Sequence, residues 1–364
     1  MTRPWRVPAG LRWSCSGCAE CCTSAYDHGP VAPETIEALT AANIEALWPP
    51  AAERPWFVTR AGPDGKPAAF LAHHNGHCVF LRDDRLCAIH AALGPHAKPG
   101  FCQEFPYHLV EEPRGWVAVV RPGCAGFHRS SVEGAVVGPE LDDIARLPSA
   151  RPHHRFDPAD VPVLPGLSVP VLTWLSWEDE LLAALQAAPA LGPIAAVATV
   201  RDRLHTLAER THPPADPARA RRAVGAIALA LQHVLSAALA SQTGPPERVR
   251  FAHDAIATLD RVTARLSNAP RAADPDLAAY LHLLLRSHLH AKSWRASGSV
   301  AEGVGHWLLG VTVALAQPPD DGPVGPDAFA SPFRHWLSLA HNPLIGAVLR
   351  KARPALLDLF LHTR

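Results

Sequence analysis

The cysteines are the residues of this chain whose type and spacing most clearly suggest chemistry. Four of them stand within eight positions, in the segment "CSGCAECC" that begins at Cys15. The other four occur before residue 125, and the rest of the 364-residue chain contains none. One N-terminal module therefore holds the whole set, which consists of Cys15, Cys18, Cys21, Cys22, Cys78, Cys87, Cys102 and Cys124.

Metal ligation is the chemistry that this spacing favours. A C-x2-C-x2-C run brings three sulfurs to one centre, and Gly17 permits a tight turn whose N–H groups stabilise thiolates. Cys22 must then point away from its neighbour or reach a second centre. The eight thiolates match two tetrahedral zinc sites, or one four-cysteine iron-sulfur cluster with the others in separate roles. We predict that all eight cysteines are metal ligands, and that the cofactor is an iron-sulfur cluster or zinc, because soft sulfur suits both.

Disulfides and ordinary buried thiols are the alternatives. The number of cysteines is even, but no secretory signal precedes them, and adjacent Cys21 and Cys22 could not bridge without severe strain. Free cysteines also pack as small apolar side chains. The first four are surrounded by Ser, Gly, Ala, Glu and Thr, which makes a poor core segment. Both alternatives stay open from the sequence.

Histidines also lie near the cysteines. His73, His74 and His77 directly precede Cys78 and could ligate or position a metal. A solvated hairpin loop explains them more simply, and that is the structure we expect. We expect His90 to hydrogen-bond a sulfur or the backbone rather than to bind metal.

The other polar motifs have structural explanations. The acidic run at residues 177–180 is expected to open a helix and to complement its dipole. The segment "EGVGHW", residues 302–307, has no preceding strand and predicts a helix start rather than a cofactor loop. The late histidines are not spaced as a compact pair beside a carboxylate, so we expect them at the surface or at the edge of the core: His282, His288 and His290. No residue is assigned a catalytic role.

Composition and charge exclude several classes of partner. Acidic and basic residues balance at 34 each, so no basic field attracts nucleic acid. The N-terminus lacks the apolar core of a secretory signal. The most apolar stretch, Ala223–Ala240, is interrupted by Gln232 and His233, which predicts a buried helix rather than a membrane span. We therefore expect a cytoplasmic protein with no nucleic-acid partner and no membrane span.

Short elements must position the cysteines. Alternating apolar residues around turn signals predict hairpins, and spacing of the helical type after Pro33 predicts a helix. The first hairpin would turn at Asp64-Gly65 and the second between Pro113 and Gly115. We predict hairpins over residues 55–74 and 107–120. We also predict a short strand over residues 77–81 and helices over residues 32–48 and 86–93.

The remainder of the chain has a different pattern. Residues between Pro148 and Pro170 are rich in Pro and lack periodicity, and later segments show helical spacing, several with Pro in the first turn. The predicted fold class is α+β: a small cysteine-rich metal-binding module with short β-hairpins, followed by an all-α helical bundle. The predicted divisions are a cysteine-cluster domain over residues 1–140, a Pro-rich linker over 141–168 and an all-helical domain over 169–364.

The cysteine pattern resembles a known family. The opening run is followed by C-x-F-L, by a cysteine with Ile-His two residues later, and by C-x-x-F-P. This order is similar to that of the YkgJ-type cysteine-cluster family, which implies chelation of zinc or iron by the first third of the chain. The residues that carry the resemblance beyond the first run are Cys78, Phe80, Leu81, Cys87, Ile89, His90, Cys102, Phe105 and Pro106.

A narrower resemblance concerns the flagellin lysine-N-methylases, the FliB-like branch. These also join a cysteine module to a long helical region, and "WVAVVRPGCAGF" is similar to their late Cys-Pro segment, although no Pro follows Cys124. Tyr280 and Leu281 match the Asn-Tyr-Leu helix of that branch, and this chain has Ala279 at the position of the Asn. This resemblance implies S-adenosylmethionine as a cofactor and a protein substrate. The alternative is a non-catalytic, metal-stabilised module whose helical domain engages a partner.

Overall fold

The structure is a computed structural model that describes residues 4–23, 29–62, 65–145, 154–187, 192–211, 213–240, 246–265, 273–317, 323–341 and 343–362. The chain divides into two compact units, Met1–Arg155 and Phe156–Arg364. The division falls inside the stretch predicted as a linker, 141–168, and this stretch also contains short strands and a helix. The predicted α+β class is confirmed, because short strands characterise the first unit and helices the second.

The first unit is built from short elements. Three 3-10 turns, Glu20–Cys22, Pro49–Ala51 and Pro95–Ala97, connect some of them. The strands and α-helices of its described residues are β1 (Trp5–Arg6), β2 (Arg12–Trp13), α1 (Pro33–Ala41), α2 (Ile44–Leu47), β3 (Phe57–Ala61), β4 (Pro67–Leu71), β5 (His73–His74), β6 (His77–Cys78), α3 (Ala88–Leu93), α4 (Gly100–Glu104), β7 (Tyr107–Glu112), β8 (Gly115–Val120), α5 (Phe127–Glu133), β9 (Ala135–Val136), α6 (Leu141–Ala145) and β10 (His154–Arg155).

A four-stranded sheet with the order β1-β8-β7-β10 lies in this unit. Strands β7 and β8 form an antiparallel hairpin, and β1 and β10 add to its two sides in parallel. Gly115 has a φ of 137°, and a Cβ there would lie 2.4 Å from the carbonyl oxygen of Pro4. Glycine is therefore required where the chain before β1 approaches the hairpin.

The sequence predicted both hairpins correctly. Strands β3 and β4 pair in antiparallel register from Phe57↔Leu71 to Ala61↔Pro67, and β7 pairs with β8 as expected. Asp64, which was expected in the turn of the first hairpin, lies outside the described residues. The predicted helix over 32–48 is divided into α1 and α2 at Asn43, whose φ of 49° is left-handed. The predicted strand over 77–81 is shorter, since β6 ends at Cys78.

A separate hydrophobic cluster supports the cysteine-bearing segments. Trp48 and Trp56 pack on it, and their indole N–H groups donate to the carbonyl oxygens of Val79 and Ala51 at 3.1 and 2.9 Å. The bond to Val79 ties the cluster to the residue that follows Cys78. Its buried members are Val31, Leu39, Ile44, Ala51, Leu71, Val79, Phe80, Ala88 and Ile89.

The second unit begins with a hairpin and continues as helices. A 3-10 turn, Ser293–Ser297, lies between two of the helices. The strands and α-helices of its described residues are β11 (Asp160–Leu164), β12 (Leu167–Pro170), α7 (Val171–Gln186), α8 (Pro193–Leu207), α9 (Pro217–Ala240), α10 (Pro246–Arg265), α11 (Pro275–His290), α12 (Val300–Leu315), α13 (Pro326–His341), α14 (Pro343–Lys351) and α15 (Arg353–His362).

The apolar stretch at 223–240 forms most of α9. Val224, Ile227, Leu231 and Leu235 are buried, as expected for a helix packed within the unit, whereas Leu229 on the same helix is 60% exposed. The helix is therefore amphipathic. Among the helices of the described ranges, none combines the length and apolar character needed to cross a bilayer.

Two predictions for the second unit are wrong. Helix α7 begins at Val171, so the acidic run at 177–180 lies in its interior and does not form its first turn. Glu178 is buried there, where its carboxylate accepts hydrogen bonds of 2.8 and 2.6 Å from Lys292 Nζ. His282 and His290 were expected at the surface or the core edge, but they are buried because α11 packs on more than one side.

The helix start predicted for 302–307 is confirmed. Helix α12 begins at Val300 with a capping box in which Ser299 Oγ accepts from the N–H of Glu302, and Glu302 Oε2 accepts from the N–H of Ser299. A Cβ at Gly303 would lie 2.1 Å from Trp294 Cβ, and one at Gly305 would lie 2.0 Å from the carbonyl oxygen of Leu356. These glycines permit close packing.

Candidate metal centre

The first cysteine segment follows β2 as a tightly turned loop. Gly17 and Ala19 both have left-handed φ angles, 64° and 62°, a backbone conformation that glycine adopts without strain. The 3-10 turn that follows carries Cys21 and Cys22, whose Sγ atoms lie 4.0 Å apart. Gly17 was expected to permit a tight turn; its φ is positive, but the turn that the structure shows begins three residues later, at Glu20.

Cys78 lies at the end of β6 and faces the first loop. The register of the small hairpin places His73 opposite Cys78 and His74 opposite His77. An isolated bridge joins Thr23 to His77, so the residue after Cys22 is held beside the strand that contains Cys78. Burial raises the pKa of the Cys78 thiol to about 11. The backbone N–H of Phe80 donates to this sulfur and lowers the pKa, but by less than burial raises it.

Cys87 and Cys102 come from two further segments. Cys87 forms a bridge with Leu81 and is the residue immediately before α3, whereas Cys102 lies within α4. Burial raises the pKa of the Cys102 thiol above its usual range, and the nearby Cys78 and Cys87 raise it further. Cys21 acts on Cys102 and on Cys78 in the same direction. These four thiols therefore converge from four separate segments.

Lys98 is the cation beside this group. Its charge lowers the pKa values of Cys21 and Cys102, against the larger effects that raise them. For Cys21 the largest of these effects is the hydrogen bond with Cys22, followed by burial. The carbonyl oxygen of Lys98 accepts a 2.6 Å hydrogen bond from Gln103 Nε2, which anchors it to α4. Sequence reasoning missed Lys98, although a cation four residues before Cys102 is a usable signal.

Cys124 lies in the turn after β8 and adjoins a different part of the loop. Cys18 and Cys21 both act on its thiol electrostatically, and burial raises its pKa to about 11. A Cβ at Gly126 would lie 2.3 Å from Ser16 Oγ, so glycine is needed where this turn meets the first loop. The structure thus brings Cys124 to Cys18, while Cys15 stands exposed at the start of the loop.

The donor set fits a soft metal ion in type, because all of its members are thiols. All eight cysteines are free thiols, which removes the disulfide alternative for this structure. Within the part of the chain that the structure describes, no three His, Cys, Asp or Glu side chains are already arranged to hold an ion. Closure on a metal therefore requires side-chain rotation together with loss of the thiol protons.

The histidines near the cysteines lie on the outside of the unit. His73, His74 and His77 occupy the exposed β5–β6 hairpin, as predicted. Its turn residues Asn75 and Gly76 have φ angles of 50° and 80°, the combination that a two-residue hairpin turn requires. His90 is exposed on α3.

Comparison with known proteins gives one match. Residues 14–124 match the family model CxxCxxCC, described as "Putative zinc- or iron-chelating domain". The matched range contains all eight cysteines and ends at the last of them, Cys124. No curated protein and no solved structure matches the chain.

Proposed function

We propose that residues 14–124 bind zinc or an iron-sulfur cluster through cysteine thiolates, and that the bound metal stabilises the first unit. The observation that supports this most directly is the convergence of Cys21, Cys78, Cys87 and Cys102 from four segments. The thiols of Cys78 and Cys102 are buried close enough to the other two to raise one another's pKa, an arrangement that packing alone does not require. The match to a zinc- or iron-chelating family model over the same residues supports the same chemistry.

The ligand assignment follows the groups of neighbours. The four convergent thiols would provide the four ligands of one zinc ion or one cluster. Cys18 and Cys124 adjoin this set through Cys21. Together with Cys15 and Cys22 of the same loop, they supply a second set of four.

The chain's own groups prepare these sulfurs for ligation. Burial keeps the thiols protonated near neutral pH, so binding must release their protons. Lys98 and the N–H of Phe80 favour the thiolate form and reduce the cost of that release. The apparent affinity for metal should therefore rise with pH and fall on acidification.

Anaerobic purification of the full chain, followed by metal analysis and an absorption spectrum, tests the proposal. A brown protein that absorbs at about 400 nm indicates an iron-sulfur cluster, and a colourless protein with stoichiometric zinc indicates a structural zinc site. Cys78→Ser should abolish binding at the four-thiol set. His74→Ala, on the same hairpin, is the matched control and should retain the wild-type metal content. A wild-type protein without zinc or iron would contradict the proposal.

The second candidate function is that of a protein lysine N-methylase. The alternative to an enzyme is a non-catalytic module that engages a protein partner through its helical unit. The order of a cysteine module and a helical region supports the methylase. The packing of Gly303 and Gly305 against Trp294 and Leu356 speaks against a cofactor loop there. Equilibrium dialysis of the metal-loaded chain with labelled S-adenosylmethionine separates the two: saturable binding supports the methylase, and its absence favours the non-catalytic module.

A further inference from the structure

The β5–β6 hairpin carries two histidines directly opposite each other. Its register pairs His74 with His77, the residues that flank the turn. One step further from the turn, His73 pairs with Cys78. Successive side chains of a strand point to opposite faces, so His74 and His77 share one face of the hairpin. Cys78 lies on the opposite face, together with His73.

The backbone around the histidine pair is fixed on both sides. The turn between the strands has the left-handed φ angles that a two-residue hairpin requires. The ladder continues beyond the hairpin, where the N–H of Val79 donates to the carbonyl oxygen of Ala72 at 3.0 Å. On the other side of β6, the isolated bridge joins Thr23 to His77. Strands of two residues are too short to hold a register alone, and these neighbours supply the missing support.

The two imidazoles are placed where one ion can bridge them. Directly opposed residues of antiparallel strands have Cβ atoms about 4.5–5.5 Å apart, and zinc–nitrogen bonds are about 2.0–2.1 Å long. An ion between the two rings is thus within reach of one nitrogen from each. Both residues are exposed, so water can fill the other coordination positions. Imidazole nitrogen suits zinc and other borderline divalent ions, whereas magnesium prefers oxygen ligands.

We propose that His74 and His77 form a second metal site, which binds a borderline divalent ion such as zinc at the surface of the first unit. The site is distinct from the thiols, because Cys78 points to the opposite face of the hairpin. Two protein ligands hold zinc more weakly than the four of a structural site, so this ion exchanges with solvent and is lost on purification. The site therefore does not contribute to the metal content that tests the thiols, and it requires no metal bound to them.

Carbethoxylation of histidine by diethyl pyrocarbonate tests the proposal in the full chain as purified. The reaction is run at about pH 7.5, above the ordinary imidazole pKa of about 6.5, and fragment mass spectrometry gives the rate at each histidine. The dependence of these rates on added zinc gives the dissociation constant. At about ten times that concentration, His74 and His77 should react about tenfold more slowly than without zinc, because only the ion-free fraction reacts. Magnesium at the same concentration should give no protection.

Single substitutions on the hairpin separate a two-histidine site from general binding of zinc to histidine. In His77→Ala, zinc should no longer protect His74, since one imidazole alone does not hold the ion. In His73→Ala, the matched control on the opposite face, both His74 and His77 should stay protected. His74→Ala, with the rate read at His77, repeats the test from the other strand and decides it if His77→Ala disturbs the bridge to Thr23.

Equal rates with and without zinc in the wild type would overturn the proposal. It is also overturned if protection of His74 survives His77→Ala, if protection is lost in His73→Ala, or if magnesium protects as well as zinc. None of these results bears on the thiols, whose metal content after purification is measured separately.

Discussion

The two units of the chain differ in how they treat the reactive groups that they bury. In Met1–Arg155 the convergent groups are thiols on short segments, among strands of two to six residues. In Phe156–Arg364 the most deeply buried charges, Glu178 and Lys292, already neutralise each other within helical packing. The comparison teaches that the second unit carries its own electrostatic partners, whereas the first, under the proposed function, would be completed by a metal supplied from outside.

Metal removal should affect the two units most unequally. A chelator added to the metal-loaded full chain should sharply increase hydrogen exchange in β7, β8 and the cysteine segments, because structural zinc contributes on the order of 10 kcal/mol in small domains. Exchange in α11 and α12 should change far less, and restoring the metal should reverse the effect. Equal loss of protection in both units would contradict the contrast.

Breaking the internal ion pair should reverse the pattern. Glu178→Gln leaves the Lys292 ammonium buried without a counter-charge, which we expect to cost about 3–5 kcal/mol of the stability of the second unit. Denaturant melts followed by hydrogen exchange in α7 and α11 measure this cost, and metal content should be unchanged.

A matched carboxylate on the same helix provides the control. Glu180 pairs with Arg203, but both side chains are about 40% exposed, so Glu180→Gln should cost less than about 1 kcal/mol. Similar losses of stability for the two substitutions would show that the buried ion pair stabilises the second unit no more than an exposed one.

The two units should also respond to pH in opposite directions once metal is removed. Burial and the nearby His306 lower the pKa of His288 to about 3, so its contribution is present above its ordinary pKa of 6.5 and is lost as the pH falls toward 3. Burial raises the pKa of Cys78 from 9.0 to about 11, so its contribution is present below pH 9 and is lost as the pH rises through 11.

Hydrogen exchange of the metal-free chain across this range checks both signs. Acid should loosen α11 first, and alkali should loosen the segments around β6 first. His288→Gln should reduce the acid response, with little change in the alkaline one. Loosening of both units at the same end of the pH range would refute the assignment of these groups.

Local patterns predicted the elements well where short-range signals decide the outcome. The β7–β8 hairpin follows from alternating apolar residues on both sides of Pro113 and Arg114. The start of α12 follows from the relation of Ser299 to Glu302, three residues apart. Such signals act within one turn or one hairpin and do not depend on distant partners.

Burial and partnership were predicted less well, because they depend on distant residues. Glu178 resembles a helix-capping acid until α7 is seen to begin seven residues earlier and Lys292 is seen to lie against it. His282 is a polar residue on α11, and the sequence of this helix does not reveal how many other elements pack around it. Its burial could therefore not be predicted.

The amino-acid sequence by itself determined that all the thiols lie in the first unit, the α+β class and the position of most helices and hairpins, because residue type and short-range periodicity encode these properties directly. Only the tertiary structure decided which thiols lie near one another, that Lys98 stands beside them, and that Glu178 faces Lys292. The physical reason is that these contacts join segments whose approach depends on loop closure and packing, and neither can be read from local spacing.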